Sequence, residues 1–323
     1  MFKELIISTA KLIIPFFLIC FVSWFFIKLF KISDFLEKII VIFLFNWIQI
    51  VISLEILSLF NQIKIFPLFL FHFVCALICL IFAWFKKLSF KINFKKTFSN
   101  IKNFYLELNL NKIFKNIMIL WIIIILVTTF FIGIMVPPNN WDSMVYHLTR
   151  AAFWHQNNNI NHYFTGITLQ TENPVNAELG LLWIITFCNS DNIVFLVQWF
   201  SFLILLLTMY KILRIIGFEK KVSFISIFIL STLDIIILES NTTQNDLVIA
   251  SFVVITLFLI IKTIKSDKIS IPILFLAGSS FGLFVGTKGY SYLFIPGFFI
   301  FYLIYGKNDF LKFKKFLIFK IVK

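Results

Sequence analysis

The 323 residues are 60% hydrophobic, include 46 phenylalanines and carry a formal net charge of +14 at pH 7. No soluble domain of this length needs so much apolar surface, so the chain is expected to be an all-α, polytopic, helical membrane protein. The positive charge is nearly all lysine placed between apolar runs, with no basic stripe beside an exposed stacking surface, which sets nucleic acid aside as a partner.

In chain order, the first apolar run resembles a signal peptide only superficially. It is long, is interrupted by Lys11 and Pro15, and lacks a small-residue cleavage pattern, so it is expected to be a retained helix. About nine spans are expected, at 8–28, 39–60, 66–85, 117–136, 192–213, 222–239, 247–262, 271–287 and 289–305. Lys28, Lys31 and Lys38 lie between the first two spans, and only Lys64 between the second and third. The connection 86–115 carries eight lysines against Glu107 alone and reads as the clearest cytoplasmic segment.

The fourth span then runs outward, and 137–180 emerges on the outer side. Lys211, Arg214, Lys220 and Lys221 place the next turn inside, and ESNTTQND (239–246) falls outside. Lys262, Lys265 and Lys268 are inside again, as are Lys307, Lys312, Lys314 and Lys315. Lys288 alone breaks the alternation. Two parts are expected: an N-terminal three-helix segment with its basic loop (1–115), and a module (116–323) that carries the polar loops. The closing LKFKKFLIFKIVK reads as the approach to another span. Cys20, Cys75, Cys79 and Cys188 lie in or beside apolar runs without metal-like pairing and read as buried free thiols.

The stretch 137–180 holds three of the four histidines and one of the two arginines, and lysine is absent from 116–210. Asn139 or Asn140 can cap a helix after Pro137-Pro138. On that helix Asp142, Ser143, Tyr146, His147, Arg150 and Trp154 fall within an arc of about 140°. Met144, Val145, Leu148, Ala151 and Ala152 fall opposite. The pattern predicts an interfacial helix lying apolar face down, with an acid, an imidazole and a guanidinium on its polar face. The return limb carries Gln170, Glu172, Asn173 and Glu178, of which Glu172 or Glu178 is a candidate third acid. The segment 177–188 is too short to cross and is expected to be a second interfacial or partly inserted helix. The spacing of His147, His155 and His162 does not suit a zinc site.

In the second outer cluster, Asn245 and Asp246 open a span. Asp246 reads either as a helix cap or as a carboxylate facing Asp142 across a cavity, an arrangement suited to general-base or metal-assisted phosphate chemistry. Lys288, an ammonium on the outer side, is expected to have a partner, either a phosphate or a carboxylate such as Asp246. Gly278, Gly282 and Gly286 recur every four residues and predict close helix packing.

These residues carry a resemblance. The chain from about 116 to 305 resembles the GT-C superfamily of polyprenyl-phosphate-sugar-dependent glycosyltransferases, in the protein mannosyltransferase and aminoarabinose transferase branch. The matching strings are PPNNWDSMVYHLTR, ENPVNAELGLLW, QNDLVIASFVV and GTKGYSYLF. The first, with the later QND element, is closest to a bacterial subgroup described only as membrane glycosyltransferases.

The resemblance implies a multi-pass enzyme of the bacterial inner membrane. Such an enzyme takes a sugar from a polyprenyl-phosphate donor at the periplasmic face and gives it to a glycan, lipid or protein acceptor. It implies that Asp142 is the first-loop acid, acting as base or holding a divalent metal ion, that Asp246 is the second acid, and that Lys288 meets the donor phosphate. Tyr146, His147, Arg150, Gln170, Glu172, Glu178 and Asn245 are the remaining candidates for substrate contact. Ser143 stands where the family has a second acid, which speaks against a required metal, and the family's C-terminal region is missing or short. The rival reading is a transporter or flippase of a lipid-linked or anionic solute, which predicts charges at midplane depth.

Overall fold

The structure, a computed structural model, describes residues 2–89, 94–266 and 270–306. Lys268, Lys307, Lys312, Lys314, Lys315 and the closing approach to a span lie outside these residues. All regular structure among the described residues is helical, as expected. Six helices are long and apolar enough to cross a bilayer. They are α1 (Phe2–Leu29, apolar from Thr9), α2 (Phe35–Ser58), α3 (Ile65–Phe85), α5 (Lys112–Met135), α9 (Leu196–Ile216) and α12 (Asp246–Lys265). The basic connection folds into α4 (Phe94–Glu107).

The other three expected spans are shorter or broken, so nine continuous spans are not present among the described residues. The run 222–239 divides into α10 (Lys220–Ser231) and α11 (Asp234–Glu239). At the break the hydroxyls of Ser231 and Thr232 turn back onto the carbonyls of Phe228 and Ile229, at 2.7 and 2.8 Å. Such local bonds compete with helix continuation. Helix α13 (Ile271–Val285) stops at Gly286, and a 3-10 turn (Gly289–Phe294) leads into α14 (Ile295–Tyr305), where Pro296 occupies the first turn.

The segment expected to lie at the interface is α8 (Asn176–Cys188), and every one of its residues is buried. It packs on α1, α2 and α9 and on α6 (Leu148–Asn157). The physical reason is that α8 is apolar all round and has no polar face to offer water, so it belongs in a core. Gly180 permits the closest approach. A Cβ there would sit 2.5 Å from the Trp47 ring. On another face, Trp183 Nε1 donates to His72 Nε2 of α3 at 2.9 Å. The N-terminal helices are thus built directly onto the polar-loop module. Between α1 and α2, the buried side chains of Ser23, Asn46 and Gln49 form a polar knot, with Ser23 Oγ 2.6 Å from the Asn46 amide. At the lysine-rich end, Lys211 pairs with Asp34 and Glu37, and Lys262 also pairs with Glu37.

The glycine stripe on α13 does not pack as expected. A Cβ at Gly278 or Gly282 would meet nothing within 4 Å. Gly286 is the crowded position, where a Cβ would fall 2.4 Å from Asn176 Nδ2. The Asn176 N–H donates to the Gly286 carbonyl at 2.8 Å, and its amide donates to Leu283 O at 3.1 Å. This junction ties the start of α8 to the end of α13.

A cavity of about 1510 Å³ with mostly apolar walls runs between α1, α2, α5, α9 and α10. Gly180, Trp183 and Ile184 of α8 form part of its wall, and Lys211 and Arg214 stand at its far end.

The junction predicts opposite outcomes for two alanine substitutions in one segment. Gly286→Ala is expected to lower stability by about 1–3 kcal/mol, because the Asn176 amide must leave its carbonyl. Gly278→Ala is expected to leave stability unchanged or raise it, since alanine is the better helix former and the space is open. Thermal unfolding in detergent compares the two.

Candidate active site

Four chain segments meet on the side away from the lysine-rich turns. The first begins at Trp141. The backbone of Asn140 accepts the Met144 N–H at 3.1 Å, while its side chain reaches across to Gln244 rather than capping the helix. A π-helical turn, Ser143–His147, follows and continues into α6. The expected polar face points inward. Ser143, His147, Arg150 and Trp154 are buried, whereas Met144 is exposed. The face expected to be solvated is therefore the one packed against the protein, the reverse of an interfacial helix.

The second segment, 239–246, is fastened to the first. The Thr243 N–H donates to Ser143 Oγ at 3.2 Å. With its amide turned to satisfy its neighbours, Gln244 donates to Glu239 at 3.0–3.1 Å and to Asp246 Oδ2 at 3.2 Å, and accepts from Asn140. Asp246 is the first residue of α12, whose free N–H groups need acceptors. They find Gln198 of α9, whose Oε1 accepts from Leu247 and Val248 at 3.0 and 3.1 Å. The cap comes from a distant helix, and the Asp246 carboxylate is left for the cluster.

The third segment is the turn after α13. Lys288 Nζ donates to Asp246 Oδ1 at 2.6 Å, and Tyr290 Oη to the same oxygen at 3.3 Å. Asn245 spends its Nδ2 on Thr287 O at 3.2 Å, so only its unpartnered Oδ1 is left for another role. Burial alone would lower the Lys288 pKa, but the hydrogen bond and charge of Asp246 outweigh it and hold it above the ordinary lysine value.

Asp142 joins this group through Tyr146. Tyr146 lies near Asp142, and its pKa is pushed well up by burial, then by the charges of Asp142, Asp246 and Glu178. Glu239 is raised by burial first, then by Asp246, and more weakly by Asp142, with Thr242 and Lys288 opposing. Three carboxylates thus share one neighbourhood with one ammonium. Gln244 belongs to the second outer cluster of the sequence, whereas Glu239 and Gln198 were not singled out there. The only signal for them was that the polar residues of 239–246 sit at the mouth of a span.

The fourth segment is the return limb. Arg150 is buried and donates to Asn173 O at 2.7 Å, with its guanidinium over the Trp154 ring at 4.7 Å. Burial lowers its pKa, against the opposing charge of Glu178. Behind it His147 Nδ1 lies 2.6 Å from Glu178 Oε1, both side chains almost wholly buried, and His147 Nε2 and Glu178 Oε2 have no partner. Gln170 is committed to the loop, donating to Val145 O at 2.5 Å and accepting from Thr165. Glu172 is exposed, as is His162. His155 reaches Asn189 at 3.3 Å. Among the described residues no three His, Cys, Asp or Glu side chains converge as a cation site.

Residues 179–322 match the family model of dolichyl-phosphate-mannose-protein mannosyltransferase. Over that stretch the chain is similar to a glycosyltransferase family of the GT-C type. Comparison with curated proteins and with solved structures returns no match. The GT-C-type match takes in α8 from its fourth residue, Asp246 and Lys288, and stops short of Asp142. Together with the six apolar helices it supports a membrane glycosyltransferase.

Two measurements test this geometry. For the buried pair, Glu178→Leu is expected to cost about 3 kcal/mol or more, because it strands the imidazole. Adding His147→Phe should recover part of that loss in thermal unfolding. For Glu239, the folded protein holds its proton more tightly than the unfolded chain does. The stability difference between folded and unfolded chain therefore falls as pH rises from the ordinary glutamate value of 4.5 through the raised folded value. Glu239→Gln is expected to remove that fall, so the melting-temperature gap between variant and wild type should widen from acid to neutral pH.

Proposed function

We propose that this chain transfers a sugar from a polyprenyl-phosphate donor to an acceptor hydroxyl at the extracytoplasmic face of a bacterial inner membrane, with inversion. The observation that carries this reading is the meeting of Asp142, Asp246 and Lys288, from three separate segments, in one cluster with Tyr146 and Glu239. The distribution of lysines supports the orientation, since the basic turns lie at the ends of the helices away from the cluster.

In this reading Asp142 takes the proton from the acceptor hydroxyl as its oxygen attacks the anomeric carbon. The bond from that carbon to the phosphate oxygen breaks, and the electron pair leaves on the polyprenyl phosphate. Lys288 meets the charge that develops there. An ammonium has three N–H donors, so Lys288 can keep Asp246 and still address a phosphate. Asp246 holds Lys288 in place and protonated. Tyr146 orients the Asp142 carboxylate through its O–H, and a raised pKa keeps that proton on the phenol. The large cavity beside α8 suits the isoprenoid tail of the donor, because its walls are apolar and α8 is shared between cavity and site. A transport path would call for ionisable groups at midplane depth. Here Asp246 opens its helix, and Asp142, Glu239 and Lys288 lie beyond the long spans.

Asp142→Asn is expected to reduce sugar transfer from a polyprenyl-phosphate sugar by about 10²–10⁴-fold while the protein still inserts and melts like wild type. Transfer at the wild-type rate by that variant, measured in nanodiscs, overturns the reading.

A further inference from the structure

A second, smaller cavity, of about 300 Å³, lies between α6 and the loop 160–175, on the far side of Asn173 and Pro174 from Lys288. Its walls carry Arg150, Trp154, Tyr163, Glu172, Asn173 and Tyr292. Arg150 is 3% exposed, yet its Nε has no acceptor in the protein. The wall is held in shape by Gln170, also 3% exposed, whose Oε1 accepts from Tyr163 Oη at 3.3 Å and from Thr165 at 2.9 Å. Tyr163 is stacked on Phe153 at 4.5 Å. The cavity is thus built, with the buried Arg150 guanidinium and the Gln170 amide holding its wall.

The chemistry of the walls selects the occupant. An anion would find a single cation, two of whose N–H groups are already given to the carbonyls of Asn173 and Pro174, and a carboxylate, Glu172, on the same wall. A lipid tail would find too many polar groups. An extended peptide needs a sheet edge or a long groove, whereas this is an enclosure at the small end of ligand pockets. A sugar ring fits all of it. Its hydroxyls both donate and accept, matching the carboxylate of Glu172, the amide of Asn173 and the hydroxyl of Tyr163, and its C–H faces lie against the electron-rich faces of tyrosine rings.

We infer that this cavity binds a sugar unit of a carbohydrate acceptor, and so that the acceptor is a glycan rather than a protein side chain. The inference rests on the transferase reading above. Asp142 and Arg150 are eight residues apart on one helical segment, about 12 Å along its axis. That is farther than one ring reaches, so the unit in the cavity is not the one that reacts. The acceptor is recognised at a neighbouring ring, and an oligosaccharide is preferred over a monosaccharide.

The test is direct binding of neutral and acidic trisaccharides, and of the matching monosaccharides, to the full chain in nanodiscs by saturation-transfer NMR. At least one trisaccharide is expected to bind. Affinity should fall about tenfold or more in Tyr292→Ala and in Glu172→Gln and be unchanged in Phe164→Ala, an exposed residue outside the cavity. Tyr292 is 56% exposed, so its truncation is not expected to unfold the protein. No binding by any saccharide, binding that Tyr292→Ala leaves intact, or an affinity no better for the trisaccharides than for the monosaccharides overturns the inference. So does sugar transfer to a peptide hydroxyl that Tyr292→Ala leaves unaltered. Saccharide binding without transfer from any polyprenyl-phosphate sugar would sustain the cavity's role and overturn the transferase reading, so the two failures are distinguishable.

Discussion

A polar group placed among apolar helices must find a partner, and that requirement organises the loop side of this protein. The helix starts there are closed by amides and hydroxyls from other segments rather than by local capping residues. Gln198 of α9 serves the first N–H groups of α12, Asn176 holds the turn after α13, and Ser143 takes the Thr243 N–H. Each bond is modest by itself, about 0.5–1.5 kcal/mol net. Their joint effect is geometric. They register four segments that are distant in sequence, and Asp142, Asp246 and Lys288 are brought together as a consequence.

The cluster so formed is unbalanced in charge. Asp142, Glu239 and Asp246 share the neighbourhood of one ammonium, which Asp246 contacts, and burial first, then the neighbouring carboxylates, raise the pKa of Glu239 and of Tyr146. A resting site of this kind favours the arrival of positive charge or the uptake of a proton. A base that takes a proton from a hydroxyl uses that preference, and Lys288, held by Asp246, is available for a developing phosphate charge. The buried His147 and Glu178 lie behind the cluster, where they tie the π turn to α8.

Much of this was legible in the residues. Apolar runs announce the long helices because a bilayer-length apolar stretch has few other uses, and five of them match closely from α2 to α12. The one lysine that broke the alternation was expected to have a partner, a phosphate or a carboxylate such as Asp246, and Asp246 is bonded to it. Where reading failed, the cause is specific. Ser143, His147, Arg150 and Trp154 do share one face, but their polarity assigned that face to water, whereas other segments of the chain supply the partners that bury it. The helix α8 was judged by its length, while its all-round apolarity, equally visible, was the better guide to burial. Gly278 and Gly282 looked like a packing stripe, but spacing alone does not say whether a neighbouring helix arrives.

What the sequence determined by itself is the solvent of each segment: which stretches belong in hydrocarbon, which turns collect lysine, and which loops keep their acids and amides. Those properties are sums over neighbouring residues, so they survive without any knowledge of the fold. Only the tertiary structure decided which polar side chains face one another. That Gln198 frees the Asp246 carboxylate by capping α12 and that Glu178 pairs with His147 depend on contacts between residues 50 and 31 positions apart. No pattern along the chain encodes such pairings singly, because each is fixed by how the apolar helices pack around it.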